Sequence, residues 1–243
     1  MKYRDKVFIL GDRMRLITLN KKYVSVQAKY GPSKVVKIPL VISPELSSLV
    51  ALVIGDGHLM KEKFKTTIES SNKNLLKVLV FIIKKLFDIK ASIKNIKKRD
   101  RKKQTYHLTV YSKAVQELFS IVFNISRGKK SNIVKVPEEI YKGENKIKEA
   151  FIIGLLAAEG SRKGKYNVRI CSASKDLVMG TQRILLDLHI NSRIESWINK
   201  KYKKEYYSLS FKRHHLDSLM RECRSGQTGM ILSIFKKATE YQA

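Results

Sequence analysis

Leu49-Val50-Ala51-Leu52-Val53-Ile54-Gly55-Asp56-Gly57 and Ile152-Ile153-Gly154-Leu155-Leu156-Ala157-Ala158-Glu159-Gly160 are one pattern written twice in a chain of 243 residues. Each reads as an apolar helix, dotted with small residues, that ends in an acid and a glycine. Ala51 and Gly55 in the first, and Gly154, Ala157 and Ala158 in the second, recur at spacings that place them on one helical face. Two such faces can pack with their backbones in close approach. Ser43-Pro44-Glu45 is a start signal for the first helix: serine caps free amides, proline suits the first helical position, and glutamate complements the positive dipole end. The helix is expected to run to Asp56 and stop at Gly57 in a left-handed C-terminal cap.

The likeness extends past the two helices. Asp56 pairs with Glu159 at an offset of 103, and Ser71-Asn72-Lys73-Asn74-Leu75 pairs with Ala173-Ser174-Lys175-Asp176-Leu177 at 102. Ile89 and Ile93 match Ile190 and Ile194, and Tyr106, Leu108 and Val110 match Tyr207, Leu209 and Phe211, all at 101. An offset that drifts this slowly is the mark of a duplicated unit.

In chain order, residues 1–42 read as short basic strands at Val7–Leu10, Arg15–Leu19, Tyr23–Ala28 and Val35–Leu40, punctuated by Gly11-Asp12 and Gly31-Pro32. They form a small β-rich extension. After the first motif helix come a strand over Phe64–Ser70, a helix over Asn74–Phe87, a strand over Ser92–Lys97, a strand over Tyr106–Tyr111 and a helix over Lys113–Phe123. A polar, basic connector follows over 126–145, and then the second motif opens the repeat. The expected architecture is α+β, with two pseudo-symmetric αββαββα halves at 43–125 and 146–243 and the motif helices packed at the central axis.

Composition narrows the partners. Fifty Lys and Arg against 21 Asp and Glu leave a net charge of +29, which points to a polyanion; ribosomal proteins and lysine-rich proteins of hot organisms share the balance. Apolar runs such as Val78–Ile83 and Ala150–Ala158 fall short of the roughly 20 residues of a membrane span, so no membrane partner is expected. Met1-Lys2-Tyr3-Arg4-Asp5 lacks an apolar signal core, and an intracellular protein is expected, in cytoplasm or nucleoid or in a eukaryotic organelle. Cys171 and Cys223 lack zinc-site spacing. The His214-His215 pair belongs to no metal framework, and Gly160 to Lys165 lacks the spacing and hydroxyl of a phosphate loop.

Asp56 and Glu159 occupy a position that carboxylates avoid, because the last carbonyls of a helix already carry partial negative charge. A cation shared between the carboxylate and those carbonyls removes the penalty, and hard ions such as Mg²⁺ prefer such oxygens. If the small faces pack about a local two-fold axis, the acids meet below the interface. Metal ions held there can activate water and stabilise the leaving oxygen of a phosphodiester.

These stretches resemble the two LAGLIDADG motifs of single-chain homing endonucleases, with Ile54 and Ala157 where the family name has its first aspartate. The likeness covers residues 43 to about 240. It implies a β-saddle fold and a monomeric, intron-encoded enzyme that cuts both strands of a long double-stranded DNA site across the minor groove, leaving short 3′ extensions. It implies Asp56 and Glu159 as metal-binding acids, with the carbonyls of Gly55 and Ala158 as further ligands for Mg²⁺ or Mn²⁺, and Ca²⁺ as a non-cleaving substitute. It also implies basic or polar groups near the scissile phosphates. By position these are Lys61 and Lys63 in the first half, Arg162 and Lys165 in the second, and Ser70 and Ser172 at the strand ends; each fits a solvated strand or loop equally well.

Strand alternation turns Lys63, Lys65, Thr67, Glu69, Lys94, Lys98, His107, Thr109 and Tyr111 outward in the first half. Asn167, Arg169, Arg193, Glu195, Trp197, Ser208, Ser210 and Lys212 belong to the corresponding strands. Two basic hairpin tips, with Arg99 and Arg101 in one and Lys200 in the other, should touch the backbone. A slip of one residue would exchange the faces. The alternative function on the same scaffold is an intron-RNA-splicing maturase or a DNA-binding protein that does not cut.

Overall fold

The computed structural model describes residues 3–7, 14–30, 34–96, 104–200, 203–216, 219 and 226–240. Its axis is a pair of helices, α1 (Pro44–Gly55) and α5 (Asn145–Glu159). Leu46 through Ile54 are all buried. A helix that is apolar on every side belongs inside, and α1 sits between the halves. Ser43 is its cap as expected, with Oγ accepting from the Leu46 amide at 3.3 Å.

The small residues set how closely the axis packs. A Cβ added to Gly154 would lie 2.5 Å from the Ser48 carbonyl oxygen and 2.7 Å from the Ala51 Cβ, and one on Gly55 would lie 2.6 Å from the Ala158 Cβ. The gap is bridged by two buried hydroxyls, Ser47 Oγ donating to the Ile147 carbonyl at 2.7 Å and Ser48 Oγ to the Ala150 carbonyl at 2.8 Å. Helix propensity alone would make Gly154→Ala stabilising by roughly 0.5–1 kcal/mol. Contact with backbone, which cannot rotate away, reverses the sign and costs about 1–3 kcal/mol. The melting temperature should therefore fall by several degrees in a thermal scan; a rise would mean that the helices do not touch here.

Each motif helix feeds an equivalent antiparallel sheet. The first contains β4 (Gly57–Leu59), β5 (Lys65–Ser70), β6 (Ser92–Ile96) and β7 (Thr105–Tyr111), ordered β4-β5-β7-β6. The second contains β8 (Gly160–Lys163), β9 (Asn167–Ser172), β10 (Ser192–Asn199) and β11 (Lys204–Lys212), ordered β8-β9-β11-β10. Helices α2 (Lys73–Phe87) and α6 (Lys175–Asp187) cover the inner faces, where Ile68 and Leu108, or Ile170 and Leu209, are buried. The duplicated α+β halves are those expected. A terminal helix, α7 (Gln227–Glu240), packs on α5 and reaches across to α2.

The N-terminal strands β1 (Met14–Leu19), β2 (Tyr23–Ala28) and β3 (Val36–Pro39) form a third sheet, whose Val24, Val26 and Ile38 are buried against helices of the first half. The strand expected over Val7–Leu10 is not formed at Val7, which closes a helical segment over 3–7; Phe8–Leu10 and both Gly-Asp and Gly-Pro punctuation points lie outside the described residues. The helix expected over Lys113–Phe123 is α only at α3 (Lys113–Glu117) and widens to a π-turn over Leu118–Val122. The connector contains a short helix, α4 (Glu138–Tyr141), and buries Val134, Val136 and Ile140.

Gly57 has no left-handed cap. The helix ends at Gly55, Asp56 is the cap residue at φ −91°, and Gly57 opens β4. Its Cβ would meet the Val53 carbonyl at 2.5 Å, and one on Gly160 would meet the Leu156 carbonyl at 2.2 Å. These glycines are required for room where the chain doubles back from helix to strand.

Candidate active site

Glu159 closes α5 and Asp56 caps α1, so the close packing at Gly55 brings the two acidic ends together. A Cβ on Gly55 would lie 3.4 Å from Glu159 Oε1. The Asp56 amide donates to the Leu52 carbonyl at 3.0 Å and its carbonyl accepts from the Glu69 amide at 3.1 Å, tying the acid to both helix and sheet. Burial, then the negative charge of Glu159, push the Asp56 carboxyl up to about 7, with Glu69 adding to the rise and Lys130 opposing it. Burial also raises Glu159, again against Lys130.

Lys130 is the residue that sequence reasoning missed. It comes from the connector, is 7% exposed, and places its ammonium on the carbonyls of Ile54 and, at 3.3 Å, Gly55. Burial lowers it to about 8, against the pull of Glu159 and Asp56. It satisfies the carbonyl end of α1, and its charge acts on both acids. The available signal was the apolar alternation that follows it, Val134 and Val136, within a segment that otherwise reads as solvated.

Two half-buried carboxyls held apart from the proton equilibrium of ordinary acids are a donor set suited to a hard divalent ion. Among the described residues no three His, Cys, Asp or Glu side chains converge. The pair would therefore complete its coordination with backbone carbonyls such as that of Gly55, with water and with substrate oxygens. Ala158 is placed by its methyl group against Gly55.

The supporting residues divide. The chain of Lys61 lies against Gly128, two residues from Lys130, and the loop carrying Lys61 and Lys63 is pinned by buried Gln116, whose Nε2 donates to the carbonyls of Met60, Lys63 and Lys65 at 2.9, 3.0 and 3.2 Å. Arg162 is half-buried on β8, with an Nε that has no protein partner. The hydroxyls of Ser70 and Ser172 accept from the amides of Asn72 and Ser174, both at 3.1 Å, and so fasten the turns into α2 and α6. They stand opposite Tyr106 and Tyr207 on the inward-facing register. Lys165 is exposed in the β8–β9 turn and lines a separate cleft.

Strand pairing aligns Lys65 with Tyr111, Thr67 with Thr109, and Glu69 and Lys94 with His107. In the second half Asn167 faces Lys212, Arg169 and Arg193 face Ser210, and Glu195 faces Ser208. These residues share the face opposite the core. Thr109 and Ser208 are only 6% and 2% exposed, so little of either is left for a base edge. Glu69 binds His107 at 3.0 Å, and Glu195 pairs with Lys163 and, at 3.6 Å, with Arg193. Trp197 is outward, stacked on Tyr206. Lys200 is exposed in the second tip, whereas Lys98, Arg99 and Arg101 lie outside the described residues. No helix among the described residues is long and apolar enough to cross a membrane.

The family described as LAGLIDADG-like domain matches residues 43–120 and 146–224. A structure of the homing endonuclease I-DmoI in complex with DNA and Mn aligns at 22% identity and a TM-score of 0.54 over 75% of this chain and 97% of that one. Full-length WhiA from Thermatoga maritima aligns at 18% identity and 0.53 over 82% of this chain and 62% of that one. At these identities the likeness is one of fold. Among curated sequences, the replication factor C small subunit of Methanocaldococcus jannaschii is 30% identical over 68% of this chain, and an A-type ATP synthase subunit of Pyrococcus abyssi is 29% identical over 77%. The matched stretches make up only 8% and 17% of those two proteins.

Proposed function

Because this chain belongs to the LAGLIDADG-like domain family, we propose that it is a site-specific, divalent-metal-dependent endonuclease acting on double-stranded DNA. The observation that carries the reading is the pair of half-buried acids, Asp56 and Glu159, on two helix ends held together through Gly55 and Ala158. A protein that only bound DNA would gain nothing from two carboxyls beneath an anionic backbone. The fold alone does not distinguish cutting from binding, since it is shared with WhiA as well as with I-DmoI.

In this reading Asp56 and Glu159 hold the metal, with Mg²⁺ the preferred ion, Mn²⁺ a substitute and Ca²⁺ a non-cleaving one; the divalent ions named for the I-DmoI complexes, Mn, Mg and Ca, support divalent-metal use. The metal supplies an activated water and charge neutralisation at the leaving oxygen. Lys130 keeps a positive charge beside both acids and between them and the helix carbonyls. Lys61 would neutralise phosphate oxygens, whereas Arg162 stands opposite the inward-facing Val168 and would act only from beneath the sheet. The outward sheet faces supply the phosphate and base contacts, the mixture of Lys and Arg with Thr, Ser, Asn and Tyr being suited to a groove. The recurrence of similar stretches within long chains named for replication and for ATP synthesis supports a module carried inside different hosts.

Selection of cleaved molecules from a random duplex library with Mg²⁺ tests the proposal. A single long site, cut on both strands across the minor groove, is expected. Recovery of bound but uncut duplexes would favour a protein that only binds.

A further inference from the structure

The second sheet narrows beyond β9. That strand pairs with β11 from Tyr207 to Lys212, so among the described residues the rungs beyond it, from Trp197 with Tyr206 to Asn199 with Lys204, form a two-stranded ribbon. A ribbon of two strands enters the major groove of B-DNA. Alternation puts Trp197 and Tyr206 on the face opposite the core, between the rung of Glu195 with Ser208 and the rung of Asn199 with Lys204. Their ring centroids lie 5.9 Å apart with the planes 25° from parallel, and Trp197 is 40% exposed.

A cross-strand aromatic pair braces a ribbon. The first half shows that this rung does not need one. At the offset of 101 its counterpart is Ile96 with Thr105, which pair in the same register without a ring. The indole is therefore an apolar surface added to a polar, outward face in one half only. Its surroundings point to a polyanion, since residues 192–212 carry six Lys and Arg against two Glu.

Duplex DNA keeps its base faces stacked and offers only their edges to a ribbon in the groove. Adenine, guanine and cytosine present polar edges there, and thymine adds a C5-methyl group. An indole ring covering a polar edge would strip it of water without returning an acceptor, whereas against a methyl group both surfaces leave water. We propose that Trp197, backed by Tyr206, reads the methyl group of one thymine in the half-site held by the second sheet. The inference rests on the reading of the chain as a site-specific endonuclease on double-stranded DNA, and it makes the two half-sites unequal at equivalent rungs.

The test replaces each thymine of the selected duplex in turn by deoxyuridine, which removes the methyl group and keeps the hydrogen-bonding edge. Binding in Ca²⁺ is measured for wild type, Trp197→Ser and Trp197→Gln, with thermal melting to confirm that the variants fold; the scan of wild type needs no substitution. Wild type should lose about fourfold in affinity at one thymine, which corresponds to roughly 0.8 kcal/mol for one buried methyl-sized group. Both variants should bind thymine and uracil equally at that position and keep the wild-type response at every other. A wild type indifferent to uracil at every position would overturn the methyl contact, and so would a loss that the variants share, which would leave the ring as a brace for the ribbon. Cutting of the unmodified duplex by wild type in Mg²⁺ would leave the endonuclease reading intact in either case. A wild type that binds no duplex would overturn both.

Discussion

Asp56→Asn and Glu159→Gln should each lower double-strand cleavage in Mg²⁺ by at least about 10³-fold while leaving binding in Ca²⁺ within a few-fold. Losing one anionic ligand from a two-acid site removes several kcal/mol of charge stabilisation at the reacting phosphate, and each 1.36 kcal/mol is about tenfold in rate. Binding depends on many contacts across both outward faces, so it changes little. The same substitutions should act on stability with the opposite sign. The Asp56 carboxyl is raised from 3.8 to about 7 in the folded protein. A raised acid binds its proton more tightly when folded, so its contribution is full below about pH 4 and is lost as pH rises through 7. Asparagine removes that loss. At pH 8 without metal the variant should melt several degrees above wild type, the gain bounded at roughly 4 kcal/mol by the rise of the carboxyl at about 1.36 kcal/mol per pH unit. Undiminished cutting would remove Asp56 from the metal site, and a lower melting temperature at pH 8 would mean that burial does not hold its carboxyl up.

How legible this was in the sequence differs by feature. Ser43-Pro44-Glu45 marks the start of α1 because capping and dipole effects are local. The drifting offset between Asp56 and Glu159 and between Tyr106 and Tyr207 carries the duplication because equivalent cores need equivalent apolar positions. The sheet faces follow from strict alternation, and the pairing of Lys65 with Tyr111 and Asn167 with Lys212 agrees with it.

What was not legible depends on contacts across the fold. Strands β4 and β8 are too short to show alternation and begin immediately after their helices end. Ser47 and Ser48 did offer a signal, since a polar side chain in an apolar helix must find a partner, but which carbonyl each would meet depends on how α5 crosses. Gly57 reads as a cap glycine, and only the doubling back of the chain reveals that its missing side chain is what counts. Lys130 is one lysine among many, distinguished by being enclosed. The turn-fastening bonds of Ser70 and Ser172 could not be read either, because a hydroxyl's hydrogen-bond partner does not follow from spacing.

Lys130→Met should separate a shared cation from a solvated lysine. Methionine keeps the apolar stem and removes the charge that acts on both Asp56 and Glu159. At pH 5 the Asp56 carboxyl, pushed up to about 7, is largely protonated, so less charge is left unbalanced and the melting temperature should differ from wild type by only a few degrees. Lys130 itself stays mostly charged until about pH 8. Between pH 5 and 7.5 Asp56 of wild type ionises against it, whereas in the variant it has no such partner. The stability deficit should therefore grow with pH toward the roughly 3–5 kcal/mol that accompanies removal of one partner from a buried charge set. Mg²⁺ should restore much of the loss at pH 7.5, because a dication replaces the missing charge. Cleavage should fall by about 10²–10³-fold, as expected for a preorganised charge beside the reacting phosphate. A deficit that is the same at pH 5 and 7.5, or that Mg²⁺ leaves unchanged, would mean that Lys130 only fills space beneath the end of α1.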